Sequence, residues 1–231
     1  GQILALVDTA SHGARQAHVV WTGTPMADRV APAQAGRAPV LAWGQTRPMQ
    51  YKREAALIAR VAARLATLRP GTTLRFYDRR PGDDPGFAAR FAHPGLAVDW
   101  RDTCDYQAYL TSMEDVAIGL APLCPETPFS RGKSFGKILS YLQAGAPVVA
   151  SATGEPAKLF ADGSGVLATD DAAWTREIVR LLDDPSARQA QAARGFAAFE
   201  TRLTDVAAAR VLSKVLAGVL VAQGHTRGHT R

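Results

Sequence analysis

The chain has 231 residues, of which 47% are hydrophobic and 21% are charged, as is ordinary for a globular protein with a sizeable core. Two cysteines are too few for a disulfide framework, and no signal peptide or run of about 18 uncharged apolar residues is present, so we expect no membrane span. The net charge of +6 suits an anionic partner, but no Lys/Arg run exceeds two residues and basic and aromatic residues do not interleave, so we expect no nucleic-acid partner.

Cysteine usage and charge indicate where the protein works. A chain with two cysteines, Cys104 and Cys124, and no disulfide framework is typical of a reduced, cytoplasmic setting. The positive charge would allow peripheral association with an anionic inner membrane face, although arginines on solvated helix faces explain the same charge. Because the sequence begins at Gly1 and not at Met, we expect a processed product or a piece of a longer protein.

The first 38 residues are harder to interpret than the rest of the chain. Ile3–Val7 and His18–Trp21 have the apolar character of short strands, and the Gly/Pro/Ala-rich stretch Ala31–Pro39 is typical of a linker.

From Pro39 onward, short apolar segments alternate with segments that repeat apolar residues at helical spacing. Strands are predicted over Pro39–Gly44, Thr72–Tyr77, Leu96–Trp100, Asp115–Leu123, Pro147–Ala152 and a short segment near Gly165. Helices are predicted over Tyr51–Leu68, Asp83–Phe91, Asp105–Met113, within Pro128–Ser151, after Gly154, over Asp171–Leu182, and then out to about Leu220. The repeated tail GHTRGHTR from Gly224 has spaced histidines, but we expect a disordered tail there and no metal site.

This alternation predicts an α/β fold with a Rossmann-like parallel sheet, covered by helices on both faces and followed by C-terminal helices. Ligands of such sheets bind outside the carboxyl ends of the strands, near the point where the strand order reverses. The loops that begin near Gly44, Trp100, Cys124 and Ser151 are therefore the candidate ligand loops.

Two of these loops carry basic residues at the start of a helix. Lys133 and Lys137 are four residues apart and would share a helix face, with Ser134 as a cap or a further donor to an anion. Arg47 and Lys52 follow the first strand in the same way. Two basic loops at one sheet edge suit a diphosphate better than a carboxylate.

Common nucleotide motifs do not account for these loops. Neither GxxxxGK[ST] nor GxGxxG is present, so nucleotide hydrolysis and dinucleotide binding are disfavoured. The segment through Gly154 and Glu155 offers backbone N–H groups to a ligand, which alone is a weak signal.

Four motifs occur in an order that is typical of a known family: DVAIGLAPL, KSFGKILSYLQAGAPVVAS, GEPAKLFADGSGVLAT and WTREIVRLLDDPSAR. Over residues 39–200 the chain resembles the C-terminal, donor-binding half of GT-B glycosyltransferases, most closely the retaining family 4 (group 1). The resemblance implies transfer of a sugar from a nucleotide-diphosphate sugar to an acceptor, which is a sugar, a glycan or a lipid. It implies no metal and no cofactor beyond the donor.

The resemblance also assigns roles to residues. Arg47 and Lys52 match the Arg and Lys, five apart, that hold the donor diphosphate, and Lys133 and Ser134 would share the phosphate or sugar contacts. Gly44 and Gly154, with Glu155 beside it, would allow close backbone approach, and Arg101–Cys104 would contact the base.

The chain departs from the family where two glutamates, eight residues apart, are expected. These positions fall on Gly132 and Ser140. The second glutamate holds the ribose in the family, and Ser140 could make only a weaker hydrogen bond there. Glu126 is a substitute acid from the preceding loop, although a solvated glutamate is the favoured interpretation.

The predicted organisation is the tail of an acceptor domain or a linker (1–38), a nucleotide-sugar-binding domain (39–201), a crossing helix (202–223) and a tail (224–231). If the acceptor domain is missing, we expect the chain alone to be inactive. Loss of both acids favours an alternative, a degenerate GT-B domain that binds nucleotide or sugar without catalysis or serves as a scaffold. A methyltransferase or dehydrogenase would need a Gly-rich first loop, which is absent.

Overall fold

The computed structural model describes residues 20, 21, 23–25, 33, 34, 36–77, 84–126 and 128–227. Six strands are described: β1 Val40–Trp43, β2 Thr72–Tyr77, β3 Leu96–Arg101, β4 Ile118–Ala121, β5 Val148–Ser151 and β6 Val166–Ala168. The helices are α1 Lys52–Leu68, α2 Pro85–Ala89, α3 Tyr106–Thr111, α4 Pro128–Arg131, α5 Gly136–Gln143, α6 Gly154–Leu159, α7 Asp171–Asp183, α8 Pro185–Arg202 and α9 Asp205–Arg227. A 3-10 turn, Pro48–Gln50, precedes α1.

The six strands form one parallel sheet in the order β3-β2-β1-β4-β5-β6. The strand order reverses between β1 and β4, and this switch point is where ligand clefts form in open α/β sheets. The prediction of a Rossmann-like parallel α/β fold is confirmed. The 3-10 turn and α4 are additions to the predicted elements.

Apolar packing explains why these segments fold as they do. All four residues of β1 and of β5 are buried, as expected for strands covered on both faces. The α1 helix buries one stripe against the sheet, including Ala55, Ile58, Val61 and Leu65. Leu68, predicted on the same stripe, lies in the last turn and is 49% exposed.

One residue of β2, Arg75, is a buried arginine. The Arg75 side chain is 3% exposed, and its Nε donates to Asp99 at 2.7 Å. Its two terminal nitrogens donate to Asp115 at 2.6 and 2.7 Å, and one of them also donates to the Ser112 carbonyl at 2.7 Å. All three guanidinium nitrogens therefore have acceptors, which is the condition for burying such a charge.

The chain divides into two compact units, one of residues 29–197 and one of the terminal segments 1–28 and 198–231. In the terminal unit, Thr24 pairs with Thr204 through an isolated parallel bridge, and its N–H donates to the Leu203 carbonyl at 3.1 Å. Helix α9 continues to Arg227, past the tail predicted from Gly224, so that boundary is corrected.

Several predictions for the N-terminal region fall outside the described residues, including the strand Ile3–Val7 and the first half of His18–Trp21. The described part of the predicted linker belongs to the sheet unit. Gln34 is fully buried, and Arg37 donates to the carbonyls of Val116 and Ala144 at 2.6 and 2.9 Å. Of the helices described, none has the length and apolar character needed to cross a membrane.

Candidate functional site

Two cavities open near the switch point, with volumes of about 320 and about 40 Å3. The larger is lined by residues from the ends of β1, β2 and β3 and from α3 and α5: Gly44, Thr46, Tyr77, Asp102, Thr103, Cys104, Tyr106, Tyr109, Gly136, Lys137 and Ser140. The smaller is lined by Trp43, Gln45, Leu120, Ala121, Pro122, Leu123, Lys133, Ser134, Phe135, Lys137, Ile138 and Pro156. Lys137 lines both cavities.

A buried tyrosine connects β1 and β4 at the switch point. The ladder between β1 and β4 reaches Ala42 and Gly119, and beyond it the Tyr141 hydroxyl bridges the two strands. The Gly44 N–H donates to this hydroxyl at 2.6 Å, and the hydroxyl donates to the Leu120 carbonyl at 3.3 Å. Burial raises the pKa of Tyr141 well above its ordinary value, so the hydroxyl keeps its proton.

Gly44 is needed for a reason that the sequence did not indicate. A Cβ atom at this position would overlap the Tyr109 hydroxyl and lie 3.1 Å from the Tyr141 hydroxyl. The predicted close approach at Gly44 is therefore made by the protein's own tyrosines. The same glycine still lines the larger cavity.

Arg47 and Lys52 follow β1, and neither of them lines either cavity. Arg47 has φ 51°, a left-handed conformation that is uncommon for a residue with a side chain. Lys52 is the first residue of α1 and is exposed. Gln45, between them and β1, is buried and lines the smaller cavity.

Lys133 and Lys137 meet at the ring of Tyr51. The Lys133 ammonium lies 3.8 Å from the ring centroid and donates to Gln45 Oε1 at 3.1 Å, and the Lys137 ammonium lies 5.8 Å from the same centroid. Both distances are within the range of a cation–π contact. Burial lowers the pKa of Lys133, while the charge of Glu54 raises it.

The start of α5 corrects two predictions about this loop. The helix begins at Gly136, so Lys133 precedes it and does not share a helix face with Lys137; Tyr51 brings the two lysines together instead. The residue before the helix is Phe135, and no side chain caps it, so Ser134 is not the cap. Ser134 is exposed and lines the smaller cavity.

Ser140 is 2% exposed and its hydroxyl is engaged within the protein. Its Oγ donates to the Lys137 carbonyl at 2.8 Å and lies 3.3 Å from the Tyr109 hydroxyl. Ser140 lines the larger cavity, as a residue that contacts the nucleotide-sugar donor must.

The remaining predicted residues lie beside the cavities and do not line them. Arg101 ends β3 and donates to Asp99 at 2.9 Å; it is the following residues, Asp102–Cys104, that line the larger cavity. Gly154 has φ +62° and begins α6, where a Cβ atom would lie 2.8 Å from a Leu123 methyl group. Glu155 pairs with Lys158 of the same helix at 2.7 Å.

Two glutamates, Glu126 and Glu54, bear on whether another acid replaces those missing at Gly132 and Ser140. Glu126 is exposed and forms an ion pair with Arg53, as expected for a surface glutamate. Glu54 is 5% exposed, accepts a hydrogen bond from the Cys124 N–H at 3.1 Å and acts on the charge of Lys133. Glu54, on α1, is thus a buried acid at this edge, and sequence reasoning missed it.

Other missed residues share one feature, an aromatic or amide side chain at the carboxyl edge of the sheet. The set comprises Gln45, Tyr51, Tyr77, Tyr106 and Tyr109. The spacing of Tyr106 and Tyr109 on one face of a short helix was the available signal. Within the part of the chain that the structure describes, no three His, Cys, Asp or Glu side chains form a metal-binding group.

Comparison with known proteins gives similarity at the level of fold. No protein-family model and no curated protein sequence matches the chain. Among solved structures, TarM of S. aureus, a point mutant bound to fondaparinux, alpha-GlcNAc-glycerol and UDP, has a TM-score of 0.64 at 12% identity over 92% of this chain and 41% of that chain. The GtfA/B complex has a TM-score of 0.62 at 15% identity over 94% of this chain and 44% of that chain.

HepE of Anabaena, in complex with UDP and glucose, has a TM-score of 0.56 at 15% identity over 79% of this chain and 49% of that chain. The chain spans less than half the length of each of these three structures. The sheet order and these similarities together show that the chain has a Rossmann-like α/β fold, which it shares with these solved structures.

Proposed function

We propose that the chain is the C-terminal, donor-binding half of a family 4-like, retaining GT-B glycosyltransferase that uses a nucleotide-diphosphate sugar. The observation that carries the proposal is the meeting of two cavities at the switch point, with Lys137 lining both and Lys133 beside it. A ligand with a nucleoside part and a diphosphate part fits this division. HepE and TarM, which share the fold, are solved in complex with UDP.

In this proposal the nucleoside enters the larger cavity, where Tyr106 and Tyr109 provide aromatic surface and Asp102–Cys104 provide polar groups. The diphosphate lies against Lys133 and Lys137, with Ser134 as a further donor. The charges stabilise the leaving diphosphate as the bond to the sugar breaks, so that catalysis consists of positioning and electrostatic stabilisation.

Arg47 and Lys52 are proposed to reach the diphosphate from the loop after β1. Both are outside the lining of the cavities, so the proposal requires their long side chains to turn toward the ligand when it binds. Gly154 and Glu155 are proposed at the sugar end, where Pro156 of the same helix lines the smaller cavity. No metal or further cofactor is proposed.

The acceptor is proposed to bind a second domain, because the chain spans less than half of the similar structures. Its class remains a sugar, a glycan or a lipid. We propose that turnover needs this second domain, that the enzyme works in the cytoplasm, and that the charge of +6 supports peripheral contact with an anionic membrane.

Titration calorimetry with UDP, GDP and ADP tests donor binding directly. We expect saturable binding of at least one of these nucleotides, with one site per chain. The same titration with the matching nucleoside separates the contribution of the larger cavity from that of the lysines. Absence of binding by all three nucleotides at millimolar concentration would overturn the proposed function.

Arg47→Ala and Lys52→Ala are each expected to weaken nucleoside-diphosphate binding by about 1–3 kcal/mol, the scale of a charged hydrogen bond. Calorimetry of each variant measures this loss. Lys214→Ala, which removes an exposed charge on α9 that lines neither cavity, is the matched control and should bind as the parent does. Parent-like binding by both loop variants would remove Arg47 and Lys52 from the site.

A second candidate function is a GT-B domain that binds a nucleotide without catalysis. The observation in its favour is that Ser140 is buried and its hydroxyl already bonds to the Lys137 carbonyl, in the position where the resemblance expects an acid. Nucleotide binding without sugar transfer by the full-length protein would support this function over the first.

A further inference from the structure

Lys133 and Lys137, hereafter the lysine pair, are held close to one another on the ring of Tyr51. Their ammonium groups lie 3.8 and 5.8 Å from the ring centroid, and both residues line the smaller cavity. The attraction of one ring face offsets part of the repulsion between two like charges, but it does not neutralise either of them. The lysine pair therefore places two like charges side by side at the smaller cavity.

The two lysines differ in their compensation. Lys133 donates to Gln45 Oε1 at 3.1 Å and is stabilised by the charge of Glu54. Among the residues that the structure describes, no carboxylate forms an ion pair with Lys137. Burial, together with the charge of Lys133, lowers the pKa of Lys137 to about 7. Lys137 is thus the member of the pair that loses its proton first.

The other titratable groups around Lys137 come from β2, α3 and the loop after β3, and they line the larger cavity with it: Tyr77, Asp102, Cys104, Tyr106 and Tyr109. Burial raises the pKa of Tyr77 and of Tyr109, so both are neutral in the range where Lys137 titrates. Asp102 is the carboxylate among these lining residues. The charge of Lys137 is nevertheless controlled by burial and by Lys133.

We propose that the lysine pair binds a dianionic group on the Tyr51 ring and that Lys137 takes up a proton when the dianion binds. The dianion adds negative charge beside both ammonium groups, and it favours the charged form of Lys137. In the donor complex this group would be the diphosphate, and to that extent the inference rests on the proposed function. Gln45 and Tyr51 act as positioning residues that hold Lys133 for the same ligand.

Proton uptake makes the affinity depend on pH in a definite direction. Above about pH 7 the free protein carries a neutral Lys137, so binding must first recover the proton. The affinity for a dianion should therefore fall as the pH rises above about 7, by up to about tenfold per pH unit. Lys137→Arg keeps its charge throughout this range, and its affinity should be independent of pH there.

The test is an NMR titration of the lysine side-chain carbons, with the Lys137 signal assigned by its absence from Lys137→Arg and, independently, from Lys137→Gln. The titration is run on the free chain, with saturating sodium sulfate and with saturating UDP. We expect a midpoint near 7 in the free chain. Either anion should raise the midpoint by at least about one pH unit.

Lys133→Gln and Lys214→Gln make the same change in net charge and serve as a matched comparison. Lys133→Gln removes the neighbouring charge, so the midpoint of Lys137 should rise in the free chain and the shift caused by sulfate should shrink. Lys214→Gln, on α9, should leave both midpoints as in the parent.

The outcomes separate this inference from the proposed function. A shift with sulfate and none with UDP would support the lysine pair as a dianion site and contradict nucleotide-sugar binding. A free midpoint at the ordinary lysine value, or a midpoint that neither anion moves, would overturn the inference even if UDP binds elsewhere on the chain.

Discussion

Asp115→Ala is expected to lower the free energy of unfolding by about 3 kcal/mol, because it leaves the buried guanidinium of Arg75 with one of its two carboxylate partners. Asp115 accepts from both terminal nitrogens of Arg75, at 2.6 and 2.7 Å, while Arg75 itself is 3% exposed. The charge cannot be relieved by deprotonation, since an arginine stays protonated in proteins. Urea denaturation of the variant and the parent measures the difference.

The other side of the same cluster should behave differently. Arg75→Met removes the buried charge and replaces it with an apolar chain of similar length, leaving two carboxylates that are partly exposed to water. We therefore expect a smaller loss, at most about 1–2 kcal/mol, and in Arg75→Met the Asp115→Ala change should cost little more. If Arg75→Met were as destabilising as Asp115→Ala, the account of an uncompensated buried charge would be wrong.

The cluster also predicts how the difference depends on pH. The hydrogen bond from Arg75 lowers the pKa of Asp115 below its ordinary value of 3.8. For Asp99, burial alone would raise the pKa, but hydrogen bonds from Arg101 and Arg75 lower it. A lowered pKa in the folded state gives stability that is present above the ordinary value and is lost as the pH falls through the folded value. The advantage of the parent over Arg75→Met should therefore shrink below about pH 4.

Arg75 also shows where prediction from the sequence stops. The segment TTLRFY was predicted as a strand from its apolar and β-branched residues, and β2 has the same bounds. An arginine inside it gave no sign of burial, because its partners are 24 and 40 residues away along the chain. Strand positions follow from local pattern, whereas the compensation of a charge depends on which strands become neighbours.

For the candidate site, too, local sequence pattern was predictive and contacts between distant residues were not. The basic loop around Lys133 was predicted at the carboxyl edge of the sheet, since it follows a buried strand, and it does line the smaller cavity. The contact of Lys133 with Tyr51 and Gln45 was not predictable, because these residues are more than 80 positions earlier in the chain. The start of α5 was misplaced because the four-residue spacing of Lys133 and Lys137 suits one helix face, while the backbone becomes helical only at Gly136.

The switch point connects stability to the site. Strands that diverge leave backbone groups without ladder partners, and buried groups of this kind need another partner. Tyr141 supplies it by accepting from the Gly44 N–H and donating to the Leu120 carbonyl. Gly44 and Ser140 line the larger cavity beside this contact. The part of the cavity wall that they form therefore depends on the position of the Tyr141 ring.

Gly119→Ala should consequently be strongly destabilising, by about 3–5 kcal/mol, as the sum of overpacking and of a buried N–H left without its acceptor. A Cβ atom on Gly119 would lie 2.5 and 2.7 Å from two ring carbons of Tyr141, whose side chain is fully buried. Gly86→Ala is the matched control, since its Cβ atom would have an ordinary contact at 3.6 Å, and its stability should stay within about 0.5 kcal/mol of the parent. Urea denaturation gives both values. If Gly119→Ala unfolded like the control, the ring of Tyr141 would not be fixed against β4. Other residues would then have to hold the wall of the larger cavity at Gly44 and Ser140.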